Sequence, residues 1–123
     1  MKDVLWVGLG GFFGANARYV LGLWVTTRYG TAFPYGTLIV NLTGSFILGL
    51  IAGLLDGHLL APAVRLSLAI GFVGAYTTFS TFTYETLRLI ETGSLLLAGA
   101  NVVGSVVAGL LAAVIGLAVG RAF

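Results

Sequence analysis

The chain has 123 residues, of which 59% are hydrophobic and only 8% charged, and its mean hydropathy is +1.07. Soluble domains carry about a quarter charged residues, so this composition excludes an ordinary soluble domain and predicts an all-α membrane protein. The absence of cysteine excludes disulfides and thiolate metal sites, and the six Lys and Arg residues are scattered singly, which argues against nucleic-acid binding.

Four stretches are long and apolar enough for membrane-spanning helices, each of which needs about 20 residues. They form a single four-helix domain over residues 1–123, and they are Val4–Thr27, Gly36–Leu55, Leu66–Leu87 and Leu95–Val119. The first stretch also imitates a cleavable secretory signal, because an apolar run leads to the small residues Ala15 and Ala17. The apolar pattern resumes at Tyr19, however, which favours an uncleaved first helix.

Helix 1 combines a glycine stripe with one embedded arginine. Gly10, Gly14 and Gly22 share a face, and Arg18 continues it. Small residues at this spacing allow helices to approach closely, either within the chain or between two copies. Arg18 either lines an anion vestibule or extends to lipid phosphate, as long side chains near helix ends commonly do.

Helices 2 and 4 carry polar or small residues at every fourth position, which places them on one face of each helix. In helix 2 these are Thr37, Asn41 and Ser45, and in helix 4 they are Asn101, Ser105 and Gly109; Gly49 and Gly53 of helix 2 form a separate GxxxG pair that suits close helix approach. Hydroxyls commonly bond to carbonyls of their own helix, but an asparagine amide inside a bilayer needs a partner, a cavity or water. The two faces therefore predict a polar track between the helices.

Helix 3 contains the most polar stretch of the predicted membrane region, GAYTTFSTFTYE over residues 74–85. Gly71 and Gly74 lower the helix propensity, which predicts a break near the middle of this helix and freed carbonyls that could coordinate a cation. Phe79 and Phe82 share a face beyond the glycines. Such a pair is typical of core packing, but ring edges are partly positive and can also contact an anion.

The remaining charged residues indicate topology rather than chemistry. Glu85 and Glu91 are expected to pair with Arg88, and no nucleophile, base and orienting group occur together, so an enzyme is not expected. Cytoplasmic loops normally carry the excess of Lys and Arg. Here the cations divide almost evenly between the two sides, with Lys2, Arg65 and Arg121 against Arg28, Arg88 and, if it reaches that way, Arg18. This balance predicts insertion in both orientations and an antiparallel homodimer.

Taken together, these motifs resemble the small bacterial fluoride channels called Fluc or CrcB, over the whole chain. The motifs are TTFSTF at residues 77–82 followed by Glu85, GANARY at residues 14–19, and NLTGSF at residues 41–46. The resemblance implies a dual-topology, antiparallel homodimer in the bacterial inner membrane, among membrane lipids. It further implies two pores per dimer that passively export fluoride, and a central structural sodium ion.

The resemblance also assigns roles to individual residues of this chain. It implies that Phe79 and Phe82 contact permeating fluoride, that Asn41 lines the pore and Arg18 the vestibule, and that sodium binds the carbonyls of Gly74 and Thr77. The rest of the fluoride path would comprise Thr37, Ser80, Thr81, Asn101 and Ser105. Family members often have a tyrosine-serine-serine track on helix 4, where this chain has Asn101, Ser105 and Gly109.

Two other functions compete with a fluoride channel. A small multidrug transporter shares the size, the four helices and the dual topology. It would, however, need a membrane-embedded carboxylate for proton exchange. Helix 1 of this chain contains Arg18 and no acidic residue in its predicted span. A membrane subunit that transports nothing would account for the glycine stripes. It would leave Asn41, Asn101 and the threonine cluster without a role.

Overall fold

The computed structural model describes residues 1–123, and all of its regular elements are helical. The elements are α1 (Lys2–Tyr29), α2 (Tyr35–Asp56), α3 (Pro62–Arg65), a π-helical segment (Leu66–Val73), α4 (Gly74–Tyr76), α5 (Phe79–Glu91) and α6 (Leu95–Arg121). The all-α prediction is confirmed, and the helices extend only a few residues beyond the predicted limits.

Three helical spans are both long enough and apolar enough to cross a membrane. They are Tyr35–Asp56, Pro62–Glu91 and Leu95–Arg121. With 28 residues α1 is also long enough, but it is not among these three. Its polar residues Asn16 and Arg18 lie in the middle of the helix and lower its hydropathy.

The glycine stripes of α1 and α2 are used for packing within the chain. A Cβ atom on Gly10 would overlap the carbonyl oxygen of Ser67, and one on Gly14 would overlap that of Phe72, so α1 lies directly against the π-helical segment. Later along α1, the Gly22 carbonyl oxygen lies 3.1 Å from the position that a Cβ on Gly36 would occupy, which joins α1 to α2. These glycines therefore allow intrachain contacts of backbone on backbone.

The second half of α2 packs equally closely along α6. A Cβ on Gly49 would overlap the carbonyl oxygen of Ala113, and one on Gly53 would lie 2.6 Å from that of Leu117. The contact positions increase together along both helices, so α2 and α6 run parallel. At the end of the pair, Arg121 Nε donates to Asp56 Oδ2 at 2.8 Å.

The helical span Pro62–Glu91 is broken at Thr77 and Thr78, which we call the break. Both residues adopt extended backbone angles, with ψ values of 159° and 117°, between α4 and α5. A break near the middle is confirmed, but it does not lie at Gly71 or Gly74: Gly71 is inside the π-helical segment and Gly74 begins α4. The π-helical form is itself rare and is found frequently at functional sites.

Candidate functional site

Asn41 on α2 takes over the hydrogen bonds that the break removes from the helix. Its Oδ1 accepts from the Thr78 amide at 2.8 Å, and its Nδ2 donates to the Thr78 carbonyl at 3.0 Å. In a continuous helix the Thr78 amide would donate to the carbonyl four residues earlier, at Gly74. The paired bonds to Asn41 hold the extended backbone open, since an unpaired backbone group at this depth would cost free energy.

A second contact with α2 anchors the residue just before the break. The hydroxyl groups of Tyr76 and Thr43 lie 2.7 Å apart, and Thr43 can donate in turn to the carbonyl of Ile39. Tyr76 is buried, and its ring stacks on that of Phe72 at 5.6 Å between centroids. α2 therefore holds the broken span on both sides of the bend. Neither Thr43 nor Tyr76 falls on the polar stripe of α2 or in the predicted site, and no spacing pattern in the sequence pointed to them.

A groove of about 320 Å³ opens beside the break, between α2, α5 and α6. Its polar lining comes from α2, the break and α6, and its aromatic lining comes from the first turn of α5; the principal residues are Asn41, Ser45, Thr77, Thr78, Phe79, Phe82 and Ser105. The rings of Phe79 and Phe82 lie 6.0 Å apart with an angle of 45° between their planes. Phe79 remains 77% exposed, so one wall of the groove is open in the single chain.

A wider cavity of about 720 Å³, which we call the vestibule, lies between the second half of α1, the first half of α2 and one side of α5. Arg18, Thr37, Thr81 and Glu85 are among the residues that line it. Thr37 Oγ1 donates to Glu85 Oε1 at 2.9 Å, while Glu85 Oε2 is buried and has no hydrogen-bond partner. The vestibule therefore brings a cation, hydroxyl groups and one embedded carboxylate together.

Thr78 lines both the groove and the vestibule, so the two cavities meet the same residue at the break. Its hydroxyl donates to Thr81 Oγ1 at 3.0 Å and accepts from the Thr81 amide at 3.3 Å. The second interaction caps the first turn of α5, as a threonine preceding a helix commonly does. One residue thus restarts the helix and borders both cavities.

A chain of hydrogen bonds fixes α6 against α5 behind the groove. Asn101 is 1% exposed, and its Nδ2 donates to Thr86 Oγ1 at 2.9 Å. Thr86 donates onward to the Phe82 carbonyl at 2.8 Å, and Ser105 Oγ donates to Asn101 Oδ1 at 3.4 Å. In the single chain Asn101 therefore supports the groove from behind, whereas Ser105 lines it.

The predicted site residues thus fall into three groups. Groove residues are Asn41, Phe79, Phe82, Thr77 and Ser105, and vestibule residues are Arg18, Thr37 and Thr81. Ser80, Gly74 and Asn101 line neither cavity; Ser80 and Gly74 are exposed.

One ion pair differs from the prediction: Arg88 bonds Glu91 at 2.8 Å, but Glu85 bonds Thr37 instead of Arg88. Glu85 turns towards α2 because the vestibule places the Thr37 hydroxyl within reach.

Backbone carbonyls at the break are the groups that suit a small hard cation. No cluster of three His, Cys, Asp or Glu side chains is present to hold a metal. The Gly74 carbonyl has lost the Thr78 amide to Asn41. In a continuous helix the Thr77 carbonyl would accept a hydrogen bond from the Thr81 amide, but here that amide bonds the Thr78 hydroxyl. The Thr77 carbonyl oxygen instead has Arg18 Nη1 at 3.4 Å. Both carbonyl oxygens therefore lack their helical amide donors, and freed backbone carbonyls of this kind can coordinate a cation, so the residues fit a sodium site.

Comparison with known protein families matches residues 5–117 to CrcB-like protein, Camphor Resistance (CrcB). The chain belongs to the CrcB family. A relative from Acidobacterium capsulatum named "Fluoride-specific ion channel FluC" is 51% identical over 118 residues, which cover 95% of this chain and 94% of the relative.

Other relatives with the same name support this membership of the CrcB family. One from Chloroflexus aurantiacus is 48% identical and covers 100% of this chain and 98% of its own length. One from Magnetococcus marinus is 51% identical, with 97% and 98% covered. The resemblance noted from the sequence is confirmed, and the relatives' name is that of a channel and not of an enzyme. With its apolar helical spans, this CrcB protein is a multi-pass protein of a bacterial membrane.

Proposed function

We propose that this protein is a fluoride-selective channel that passively exports F⁻ across the bacterial cytoplasmic membrane and thereby confers fluoride resistance. The name of its relatives supports fluoride as the substrate. The observation that carries the proposal is the junction at Thr78, where a vestibule containing Arg18 meets a groove lined by Asn41 and two phenylalanine rings. A small anion attracted into the vestibule would have a continuous path into the groove.

The groove offers fluoride replacements for its water molecules. Asn41 Nδ2 uses one of its two hydrogens on the Thr78 carbonyl and has the other to donate. Ser45 and Ser105 add hydroxyl groups along the same wall, and Phe79 with Phe82 can add partly positive ring edges. Fluoride would lose water stepwise and gain these contacts, so conduction would need no tight binding site.

The proposal includes four membrane spans and an antiparallel dimer. Between Val4 and Trp24 the exposed side chains of α1 are aliphatic or aromatic apart from Asn16, and α1 follows the same direction as the broken span, which supports counting it as the fourth span. Phe79 is 77% exposed at the open wall of the groove, where a second copy would cover it. Each of the two copies would then contribute one pore.

The sodium ion of this proposal would be structural and would lie at the dimer interface. It would bind the carbonyl oxygens of Gly74 and Thr77 from both copies. When bound, it would neutralise the negative ends of the carbonyl dipoles that the break has freed. The chain's own contribution is to keep those carbonyls out of helical hydrogen bonds, which Asn41 and the Thr78 hydroxyl accomplish.

Ion efflux from liposomes that contain only the purified protein tests this function. We expect rapid loss of trapped fluoride with little loss of chloride, and a large fall in fluoride efflux for the Phe79→Ile, Phe82→Ile double variant. Leu87→Ile, at an exposed position of α5 that lines neither cavity, is a matched control with fluoride efflux near wild type. Equal efflux of chloride and fluoride would refute selectivity. Proton-coupled uptake of a cationic dye without fluoride efflux would instead support the multidrug transporter, with Glu85 as its embedded carboxylate.

A further inference from the structure

The Arg18 side chain lies where the vestibule meets the break. Arg18 is half-buried and lines the vestibule, yet its Nη1 donates to the Thr77 carbonyl at 3.4 Å. That distance lies beyond the 2.7–3.2 Å of most such bonds, so the contact is a weak one. The vestibule beside it is large enough, at about 720 Å³, for the side chain to move away from the carbonyl.

The same carbonyl oxygen is one of the donors assigned to sodium in the proposed function. Because a guanidinium and a sodium ion are both cations, the two repel each other and cannot share this oxygen closely without cost. We propose that Arg18 and sodium compete for the Thr77 carbonyl, so that sodium binding moves the Arg18 guanidinium from the break into the vestibule. This inference rests on the sodium site of the proposed function.

Competition of this kind has a reciprocal consequence. If Arg18 weakens sodium binding by a given factor, bound sodium disfavours the Arg18 to Thr77 contact by the same factor. Before sodium binds, the guanidinium donates one weak hydrogen bond to the carbonyl that the break has left without an amide donor. After sodium binds, the cationic group is available to attract anions in the vestibule. Sodium would thus influence anion entry through the position of one side chain.

Sodium titration of thermal stability tests the competition without measuring transport. The full-length protein in detergent is heated at increasing NaCl, with choline chloride replacing sodium at constant ionic strength, and unfolding is followed by the fluorescence of its two tryptophans. Binding to the folded state raises the melting temperature as the ion concentration increases. The stabilisation follows RT ln(1 + [Na⁺]/Kd), and the measured quantity is the fitted Kd, which is the half-saturating sodium concentration.

For Arg18→Met we expect this half-saturating sodium concentration to fall about fivefold or more, the lower range of coupling between linked sites. Arg88→Met is the matched control, since Arg88 also lines the vestibule but pairs with Glu91 on the exposed side of α5. The half-saturating sodium concentration of Arg88→Met should stay within about twofold of wild type. Arg18→Gln, expected to shift in the same direction, serves if Arg18→Met does not fold. A general loss of stability would lower all melting temperatures without lowering the half-saturating concentration.

Direct competition would be overturned, with the sodium site left in place, if the half-saturating sodium concentration did not change in the Arg18 variants or fell equally in Arg88→Met. A wild-type protein whose stability does not respond to sodium would overturn both the site and the competition. Fluoride efflux from the same preparation would then decide separately whether the proposed channel activity stands.

Discussion

The two halves of α2 use the same four-residue spacing for opposite purposes. In the first half, the side chains of Thr37 and Asn41 reach out from α2 to bond Glu85 and Thr78 of the broken span. In the second half, Gly49 and Gly53 bring the backbone of α6 into direct contact. Side-chain size at one helix face therefore decides whether the neighbouring helix is held at a distance or packed closely.

The difference explains how a small helical protein can contain a polar path. The closely packed half gives α2 and α6 a rigid junction, because backbone contacts leave little room for sliding. The polar half then has a fixed support from which Asn41 can hold the break. Disturbing the glycine half should therefore affect folding as a whole, whereas disturbing the polar half should mainly affect the break and ion conduction.

The largest effect on stability is expected from Gly116→Ala on α6. A Cβ at this position would overlap the carbonyl oxygen of Phe46, so α2 and α6 would have to separate. We expect a loss of about 3 kcal/mol, the upper range for overpacking. Denaturation of the purified protein by SDS would measure it. Gly104→Ala on the same helix, where the added Cβ meets nothing within 4 Å, should be neutral or stabilising by up to about 1 kcal/mol.

Asn41→Leu should have a smaller effect on stability and a larger one on transport. The substitution leaves the Thr78 amide and carbonyl without their partner and removes the amide from the groove. We expect a stability loss of about 2 kcal/mol and a fall in fluoride efflux of at least about tenfold, equivalent to 1.4 kcal/mol in the barrier. Efflux from liposomes with matched protein content measures the second effect.

Asn16→Leu is the control for the Asn41 substitution. Asn16 is an exposed asparagine on α1 whose Nδ2 bonds only the Phe12 carbonyl of its own helix, at 2.7 Å. Its replacement should leave fluoride efflux within about twofold of wild type, because it contacts neither cavity. Equal losses in the two variants would contradict the specific role of Asn41 at the break.

A more modest effect is expected at the second contact between α2 and the broken span. Tyr76→Phe removes the hydroxyl that lies 2.7 Å from Thr43 Oγ1 but keeps the ring stacked on Phe72. The free energy of unfolding should fall by about 1 kcal/mol, the net value of one ordinary hydrogen bond. A double-mutant cycle with Thr43→Val, measured by SDS denaturation, checks it. Fully additive losses would show that the two hydroxyl groups do not interact.

The smallest effect is expected at the exposed end of α5. The side chains of Arg88 and Glu91 form a 2.8 Å ion pair but are 57% and 51% exposed. Glu91→Gln should therefore change stability by less than about 0.5 kcal/mol. A loss above 2 kcal/mol in the same denaturation assay would mean that this end of the helix is more constrained than its exposure indicates.

Local sequence patterns predicted the helices well but did not locate the break. The second span was predicted as Gly36–Leu55 and is observed as Tyr35–Asp56, since apolar length and flanking turn residues determine where such helices end. The break was predicted from the low helix propensity of Gly71 and Gly74. It lies at Thr77 and Thr78 because Asn41, 37 residues away from Thr78, provides its hydrogen bonds.

The charged residues show the same limit of local reasoning. Closeness in sequence suggested that Arg88 would pair with Glu85 as well as with Glu91. Glu85 instead bonds Thr37, 48 residues away, which only the packing of α5 on α2 makes possible. The polar stripe of α2 did predict which face would line the site, because regular helix geometry relates those positions. Contacts between helices, however, depend on packing that one helix's pattern does not contain.

The most direct measurement of the central claim is chemical block of the groove. The chain has no cysteine, so Ser45→Cys places one thiol in the groove beside Asn41, and Val103→Cys places one on the exposed outer face of α6 as the control. Fluoride efflux from liposomes is measured before and after a small thiol-specific methanethiosulfonate reagent, with labelling confirmed by mass. The account predicts that labelled Ser45→Cys loses most of its fluoride efflux while labelled Val103→Cys keeps it. Undiminished efflux from fully labelled Ser45→Cys would show that fluoride does not pass through this groove.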